Sequence, residues 1–391
     1  MDEDFIKQKQ VSAKQMPENW DLFKNTNAET DFDLELLKRE VGQRFPFYDI
    51  RSNANAVAFF CRVDKEFLEQ KFDELRRSLS EKGYVPMLRY DQGEHIIYII
   101  KKTQRKEKPI WINILLLILT LITTIITGSI LVQGNYDVWN MPNAMDVFKP
   151  ESLLKGALFF ALPLMSILIV HEMGHYYISK KHGIKTSLPF FMPLPPIMSI
   201  NIGTLGALIS SRDPMPNKKA LFDVGIAGPL AGFLVAIPIT AIGIATAKVV
   251  PIPKEVPVGE ITFGSSLLIN GLTSMIHNLP GGYTIEMNPL LFAGWVGLLI
   301  TSINLLPAGQ LDGGHIFRAV FGEKQKYIGW VAIIIMVFTG WLFFAIIIIF
   351  LMGMMHPPPL NDDTELDVKR KLLFILVIVI LVLCYIPEPF R

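Results

Sequence analysis

Gly156-Ala157-Leu158-Phe159-Phe160-Ala161-Leu162-Pro163-Leu164-Met165-Ser166-Ile167-Leu168-Ile169-Val170-His171-Glu172-Met173-Gly174-His175 carries no charged side chain until its end, where two imidazoles and a carboxylate fall within five residues. Ionisable groups are costly to keep in an apolar membrane segment, and where they occur they mark function. On a helix His171 and His175 project from one face one turn apart, which presents two nitrogens to a single Zn²⁺. Glu172 can then act on a metal-bound water. The stretch predicts a membrane helix that holds a hydrolytic metal centre.

Working outward, the whole chain agrees with a polytopic membrane protein. Its 391 residues are 51% hydrophobic, its mean hydropathy is positive, and several apolar runs are long enough to cross a hydrocarbon layer of roughly 30 Å. The net charge of +1 averages a charged N-terminal quarter with a sparsely charged remainder. No basic tract with interleaved aromatics points to nucleic acid. Cys61 and Cys384 lie far apart in unlike surroundings, so no disulfide framework or cysteine metal site is expected. The first residues lack the apolar core of a secretory signal, which leaves the segment near residue 110 as the first insertion signal.

Pro109 divides the chain. Residues 1–109 read as a small cytoplasmic α+β domain with an irregular first 30 residues. Asp33 to Val41 has helical periodicity, and Phe45 to Arg51 and Asn55 to Val63 read as strands split by Ser52-Asn53. Lys65 to Lys82 repeats Phe67, Leu68, Phe72, Leu75 and Leu79 as an amphipathic helix ending at Gly83, and a hairpin over Tyr84 to Tyr90 and His95 to Lys102 follows. Residues 110–391 form the membrane domain, with about six transmembrane helices at 110–132, 153–178, 221–249, 289–307, 329–353 and 372–386.

Charge sets the orientation. Lys101, Lys102, Arg105, Lys106 and Lys108 precede the first span, and Lys180, Lys181, Lys185, Arg212, Lys218 and Lys219 follow the second, so the N-terminus is placed in the cytoplasm. The alternation weakens after the fifth span, where Lys369, Arg370 and Lys371 would lie outside. A hairpin broken at Gly340 would return them inside, but each arm is too short to cross, and a single span is the expectation. His171 lies about 22 Å from the outer edge of its helix at 1.5 Å per residue, which places the site in the cytoplasmic third.

A hydrolytic zinc keeps three protein ligands and one open position, so a third ligand is needed. Asn304-Leu305-Leu306-Pro307-Ala308-Gly309-Gln310-Leu311-Asp312-Gly313-Gly314 ends the fourth span on the same side. Pro307 cannot donate a helical hydrogen bond and the glycines permit sharp turns, so the segment should unwind and return Asp312 to the histidine pair. Fe²⁺ or Co²⁺ suits the same donor set as Zn²⁺. Residues 187–211 are too rich in proline and glycine to span as a helix, and they read as a re-entrant element with a strand at 200–209.

HExxH on one apolar span with NxxPxxxLDG on a later one resembles the site-2 protease family of intramembrane zinc metalloproteases, over roughly residues 150–320. Gly203-Thr204-Leu205-Gly206-Ala207, Ile226 to Gly232 and His356 to Asp362, with the N-terminal module, are similar to the branch that includes the chloroplast EGY-type proteins. That branch often carries Gly-Asn-Leu-Arg where Phe60-Cys61-Arg62-Val63 stands here. The resemblance implies one zinc held by His171, His175 and Asp312, Glu172 as catalytic acid/base, and Asn304 beside the reacting carbonyl. It implies a transmembrane protein substrate, one already trimmed by another protease, and hydrolysis of peptide bonds in or near its membrane segment. With family resemblance in its favour, the strand edge, through Asn201, Gly203, Thr204 and Gly206, pairs with an unwound substrate.

Other readings bear on the same residues. A non-catalytic membrane chaperone or adaptor would leave Glu172 without a reason to sit beside two ligands. A metal transporter expects polar groups through both leaflets, whereas the ionisable cluster lies at one side. Gly228 and Gly232 form a GxxxG pattern that close helix packing explains without chemistry. His95, His182, His277 and His315 read as structural, interfacial or loop residues, and His356 as structural against gating or transient metal contact. No residue pattern sets an oligomeric state.

Overall fold

The computed structural model describes residues 32–91, 93–103, 109–134, 144–195, 202–211, 213–252, 262–354 and 356–389. The irregular segment expected at residues 1–30, and Asn201, lie outside the described residues. The chain separates into two compact units, one of residues 1–106 with 214–219 and 357–365, the other of residues 107–213, 220–356 and 366–391. The two short later segments in the first unit are not marked by any linear boundary.

In the first unit the order is α1 (Leu34–Gly42), β1 (Phe47–Ser52), β2 (Ala56–Cys61), α2 (Leu68–Glu81), β3 (Tyr84–Asp91) and β4 (Glu94–Lys101). The strands pair antiparallel in the order β1-β2-β4-β3. Asp33 caps α1 by accepting from the Leu36 N–H at 3.0 Å. α2 buries Leu68, Phe72, Leu75 and Leu79 at the helical period, against Val57, Phe59, Leu88 and Ile97 of the sheet. Residues 357–365 extend this sheet: the Leu88 N–H donates to the Leu360 carbonyl at 2.7 Å, and the Leu360 and Asn361 N–H groups donate to Met215 and Pro216. His95, expected to be structural, lies 3.1 Å from the Asp363 carboxylate.

The second unit is mostly helical. α3 (Ile110–Val132), α4 (Pro150–Lys181, with a π turn at Ala157–Ala161) and α5 (Lys218–Ala245) are the three helices long and apolar enough to cross a membrane among the described residues. After α4 comes a two-stranded antiparallel hairpin, β5 (Phe190–Pro193) with β6 (Thr204–Leu208), where the sequence predicts a strand. α3 is stitched to it: Asn113 Nδ2 donates to the Leu188 and Pro189 carbonyls at 2.9 and 3.0 Å, and Thr123 Oγ1 to the Gly203 carbonyl at 2.6 Å. A small sheet of β7 (Val249–Pro251) and β8 (Tyr283–Ile285) flanks the short apolar helix α6 (Leu267–Ile276). Then come α7 (Pro289–Leu305), α8 (Asp312–Phe321), α9 (Gln325–Phe338), α10 (Leu342–Ile347, running into a π turn at Ile348–Met352) and α11 (Val368–Cys384).

The single span expected at 329–353 is corrected. α9 stops before Gly340, whose φ of +81° a side chain rarely adopts, and the chain turns back. At the turn, the Glu388 N–H donates to the Thr339 carbonyl and Trp341 Nε1 to the Ile386 carbonyl, both 2.8 Å, just beyond the far end of α11. At the open end, Gln325 donates to the Pro307 carbonyl at 2.9 Å and His356 meets His315. The hairpin therefore begins and ends near α8, with its turn beyond the far end of α11. The short arms are stable because the unit closes their ends by hydrogen bonds, which local hydropathy does not report.

Candidate metal centre

Residues 162–181 continue as an uninterrupted α-helix beyond the π turn, so His171 and His175 share one face, and both are buried. The third partner depends on how α7 ends. Leu306 precedes Pro307 and takes an extended conformation, ψ 137°, as the proline ring requires of its predecessor. The turn then packs so tightly that a Cβ on Gly313 would overlap the Leu305 and Leu306 carbonyls. Asp312 opens α8 at that point and returns to the histidines.

The donors converge. His175 Nε2 lies 3.2 Å from Asp312 Oδ2 and 3.2 Å from His171 Nε2, and His171 Nε2 lies 3.4 Å from Asp312 Oδ2. Donors about 2.0–2.1 Å from one tetrahedral ion stand about 3.3 Å apart, so the spacing fits a single zinc-sized cation. These three residues are the one group of three or more His, Cys, Asp or Glu able to hold a metal among the described residues. Glu172 is buried beside them, 7% exposed, within electrostatic reach of all three. Asn304 Nδ2 stands 3.4 Å from His171 Nε2.

The structure also brings in residues for which the sequence analysis found no chemistry. His175 Nδ1 lies 2.8 Å from the Val224 carbonyl, and a carbonyl only accepts, so Nδ1 carries the proton and Nε2 keeps its lone pair for a cation. α5 reaches α4 through glycines. A Cβ on Gly174 would come 2.6 Å from the Ala227 carbonyl, one on Gly232 3.1 Å from His171, and one on Gly228 would overlap the His175 imidazole. The GxxxG pattern is thus the wall of the centre. Its spacing of four, the same as that of the histidines, was the available signal, but only the helix pairing shows what it faces.

Of the residues expected to meet a substrate, Gly203, Thr204 and Gly206 lie on or beside β6. Thr204 is buried, with its hydroxyl donating to the Met192 carbonyl and accepting from the Gly206 N–H, both 3.0 Å, so its side chain braces the hairpin. β6 pairs with β5 on one edge and has no strand partner on the other among the described residues.

Residues 159–347, which contain both motifs, match Peptidase family M50. This stretch, just under half of the chain, is similar to peptidase family M50 domains. Over 262 residues the chain is 33% identical to probable zinc metalloprotease EGY2, chloroplastic, of Arabidopsis thaliana, covering 63% of this chain and 44% of that protein. It is 31% identical over 260 residues to the EGY2 protein of Oryza sativa subsp. indica, with 63% and 46% covered. To probable zinc metalloprotease EGY1, chloroplastic, of Arabidopsis thaliana it is 29% identical over 262 residues, with 63% and 46% covered. The aligned region thus spans less than half the length of these relatives. The matched stretch holds all four residues of the expected metal and acid/base set.

Proposed function

We propose that this protein is an intramembrane zinc metalloprotease that hydrolyses peptide bonds in or near transmembrane segments of other membrane proteins. One observation carries the reading: the convergence of His171, His175 and Asp312 donor atoms to 3.2–3.4 Å of one another, with both histidines and Glu172 buried and Asp312 partly buried. The zinc-metalloprotease names of the relatives support it.

His171, His175 and Asp312 hold the ion, which when bound supplies Lewis acidity for water and carbonyl. The His175 Nδ1–H bond to Val224 keeps the correct tautomer. Glu172 takes the proton of the attacking water and returns it to the leaving amine. Asn304 donates to the carbonyl oxygen as negative charge develops there. A helical substrate must lose hydrogen bonds near the cut, and the open edge of β6 offers backbone partners to the freed strand.

The membrane arrangement follows from the corrected hairpin. α3, α4, α5, α7 and α11 cross, while α9 and α10 enter and return. The N-terminus, Lys180, Lys181 and Lys369 to Lys371 then all lie on the cytoplasmic side with the metal centre, as the positive-inside rule asks. Leu372, Ile375, Val379 and Val382 of α11 are exposed in the protein alone and face lipid.

The test uses purified protein in detergent or nanodiscs with a transmembrane substrate. Cleavage is expected to stop with a chelator and to fall by about 10²–10⁴ in Glu172→Gln, while that variant keeps its zinc. Undiminished turnover in Glu172→Gln would overturn the acid/base assignment, and turnover without bound metal would overturn the reading.

A further inference from the structure

α4 and α5 approach through Gly174, Gly228 and Gly232, which receive the Ala227 backbone, the His175 ring and the His171 side chain. A glycine-lined seam of that kind resists separation but offers few side chains to stop one helix sliding along the other. In a membrane no hydrophobic gain compensates, since lipid is as apolar as the helix face. Yet the His175 Nδ1–H bond to the Val224 carbonyl, at 2.8 Å, tolerates only a fraction of the 1.5 Å rise per residue before it is lost. Something must set the register.

The neighbouring residue supplies it. Asp223 Oδ2 lies 2.9 Å from His182 Nε2, seven residues beyond His175 at the end of α4. The same carboxylate accepts both arms of Arg370 from α11, Nε to Oδ1 at 2.7 Å and Nη2 to Oδ2 at 2.5 Å. Arg370 is itself held by Asp367, which caps α11 by accepting from the Arg370 N–H at 2.9 Å. A bidentate guanidinium–carboxylate pair is directional as well as strong. The three groups are each about one-fifth exposed, so water weakens the pairing only in part.

We propose that Asp223, clamped by Arg370 and His182, is a positioning residue for the metal centre. It locks α5 against α4 at the height where the Val224 carbonyl meets His175 Nδ1, and so makes metal affinity depend on the seating of α11. The proposal rests on His171, His175 and Asp312 being the zinc ligands.

The experiment measures zinc affinity by chelator competition, and the visible absorption of the Co²⁺-loaded protein, for the intact chain, Asp223→Asn, Arg370→Gln and the double variant. Both single variants are expected to bind zinc about ten- to a hundredfold more weakly and to change the Co²⁺ band, as loss of support to a metal-bound imidazole does. The double variant should be no worse than the weaker single, because the two residues act through one contact. Arg370→Lys, which keeps the charge and one arm, should recover part of the loss. Circular dichroism of the metal-free proteins should show unchanged helix content, and Arg370→Gln leaves the Asp223–His182 contact to hold the fold should Asp223→Asn disturb it. Wild-type affinity and an unchanged Co²⁺ band in both singles would overturn the clamp while leaving the zinc reading intact. Failure of the unsubstituted protein to bind zinc, or equal binding after His171→Ala, would overturn both.

Discussion

The core of the N-terminal unit and the α4–α5 seam hold together by opposite means. Between α2 and its sheet, Phe59, Phe72, Leu75, Leu79 and Leu88 fill space with large side chains, all almost fully buried. Between α4 and α5 close approach depends on absent side chains, at Gly174, Gly228 and Gly232, which leave room for the Ala227 backbone and the two histidines. Water drives the first, at about 25 cal/mol per Å² of apolar surface removed from it. The second gains only from close packing and polar contacts. The first should therefore fail when carbon is removed, and the second when carbon is added.

Gly228→Ala tests the seam most severely. The new methyl needs the place of the His175 ring, and the flexible imidazole yields by swinging off Val224 and out of the donor set. Zinc affinity and proteolysis should fall by about a hundredfold or more, beyond the usual cost of a lost second partner. Retained zinc, measured by competition, would mean that the seam can open. Leu75→Ala tests the core, and it should destabilise the N-terminal unit by about 2–5 kcal/mol, read by hydrogen exchange in the intact chain. Zinc content should not change. If it did, the two regions would be energetically one.

Gly340 sharpens the contrast, because this glycine is needed for its backbone angle as well as for room. Gly340→Ala should cost about 1–2 kcal/mol through its φ of +81°, and Gly340→Asn less, compared by thermal unfolding in detergent. Equal stability of alanine and glycine would argue for a straighter α9–α10.

The smallest effect belongs to Glu40 in the N-terminal unit. Its buried carboxylate accepts from Lys82 first of all, then from Ser78 and Arg44, and these bonds hold it down to about 2, from an ordinary 4.5. A depressed carboxylate stabilises fully above its unfolded value and loses that contribution as pH falls from about 4.5 through about 2. Lys82→Met should lower stability by about 1 kcal/mol at neutral pH, because Lys82 is partly exposed and screened. The difference should vanish near pH 2, as monitored by urea midpoints.

Local pattern sufficed for much of this protein. The strands and helices of residues 33–102 lie within a few residues of their expected places, because periodicity and turn residues act over short distances. The convergence of His171, His175 and Asp312 was legible too, since a helix places residues four apart on one face and proline with glycine bends the chain back to it. Hydropathy misread residues 329–353 as one helix, because it measures apolar length and is blind to a reversal whose ends are tied by Gln325, Trp341 and His356. Glycines 228 and 232 looked like bare packing for a related reason. What a missing side chain makes room for depends on which helix comes alongside.

Sequence alone determined the element types, the histidine pair with its glutamate, and the carboxylate able to join them, all set by bonds and angles within a few turns. Tertiary structure decided which carbonyl orients His175, which glycines admit it, and that Asp223 joins α4, α5 and α11. Those choices rest on groups 41 to 147 residues apart, meeting only when the helices pack. Nothing in the chain near either partner records the meeting.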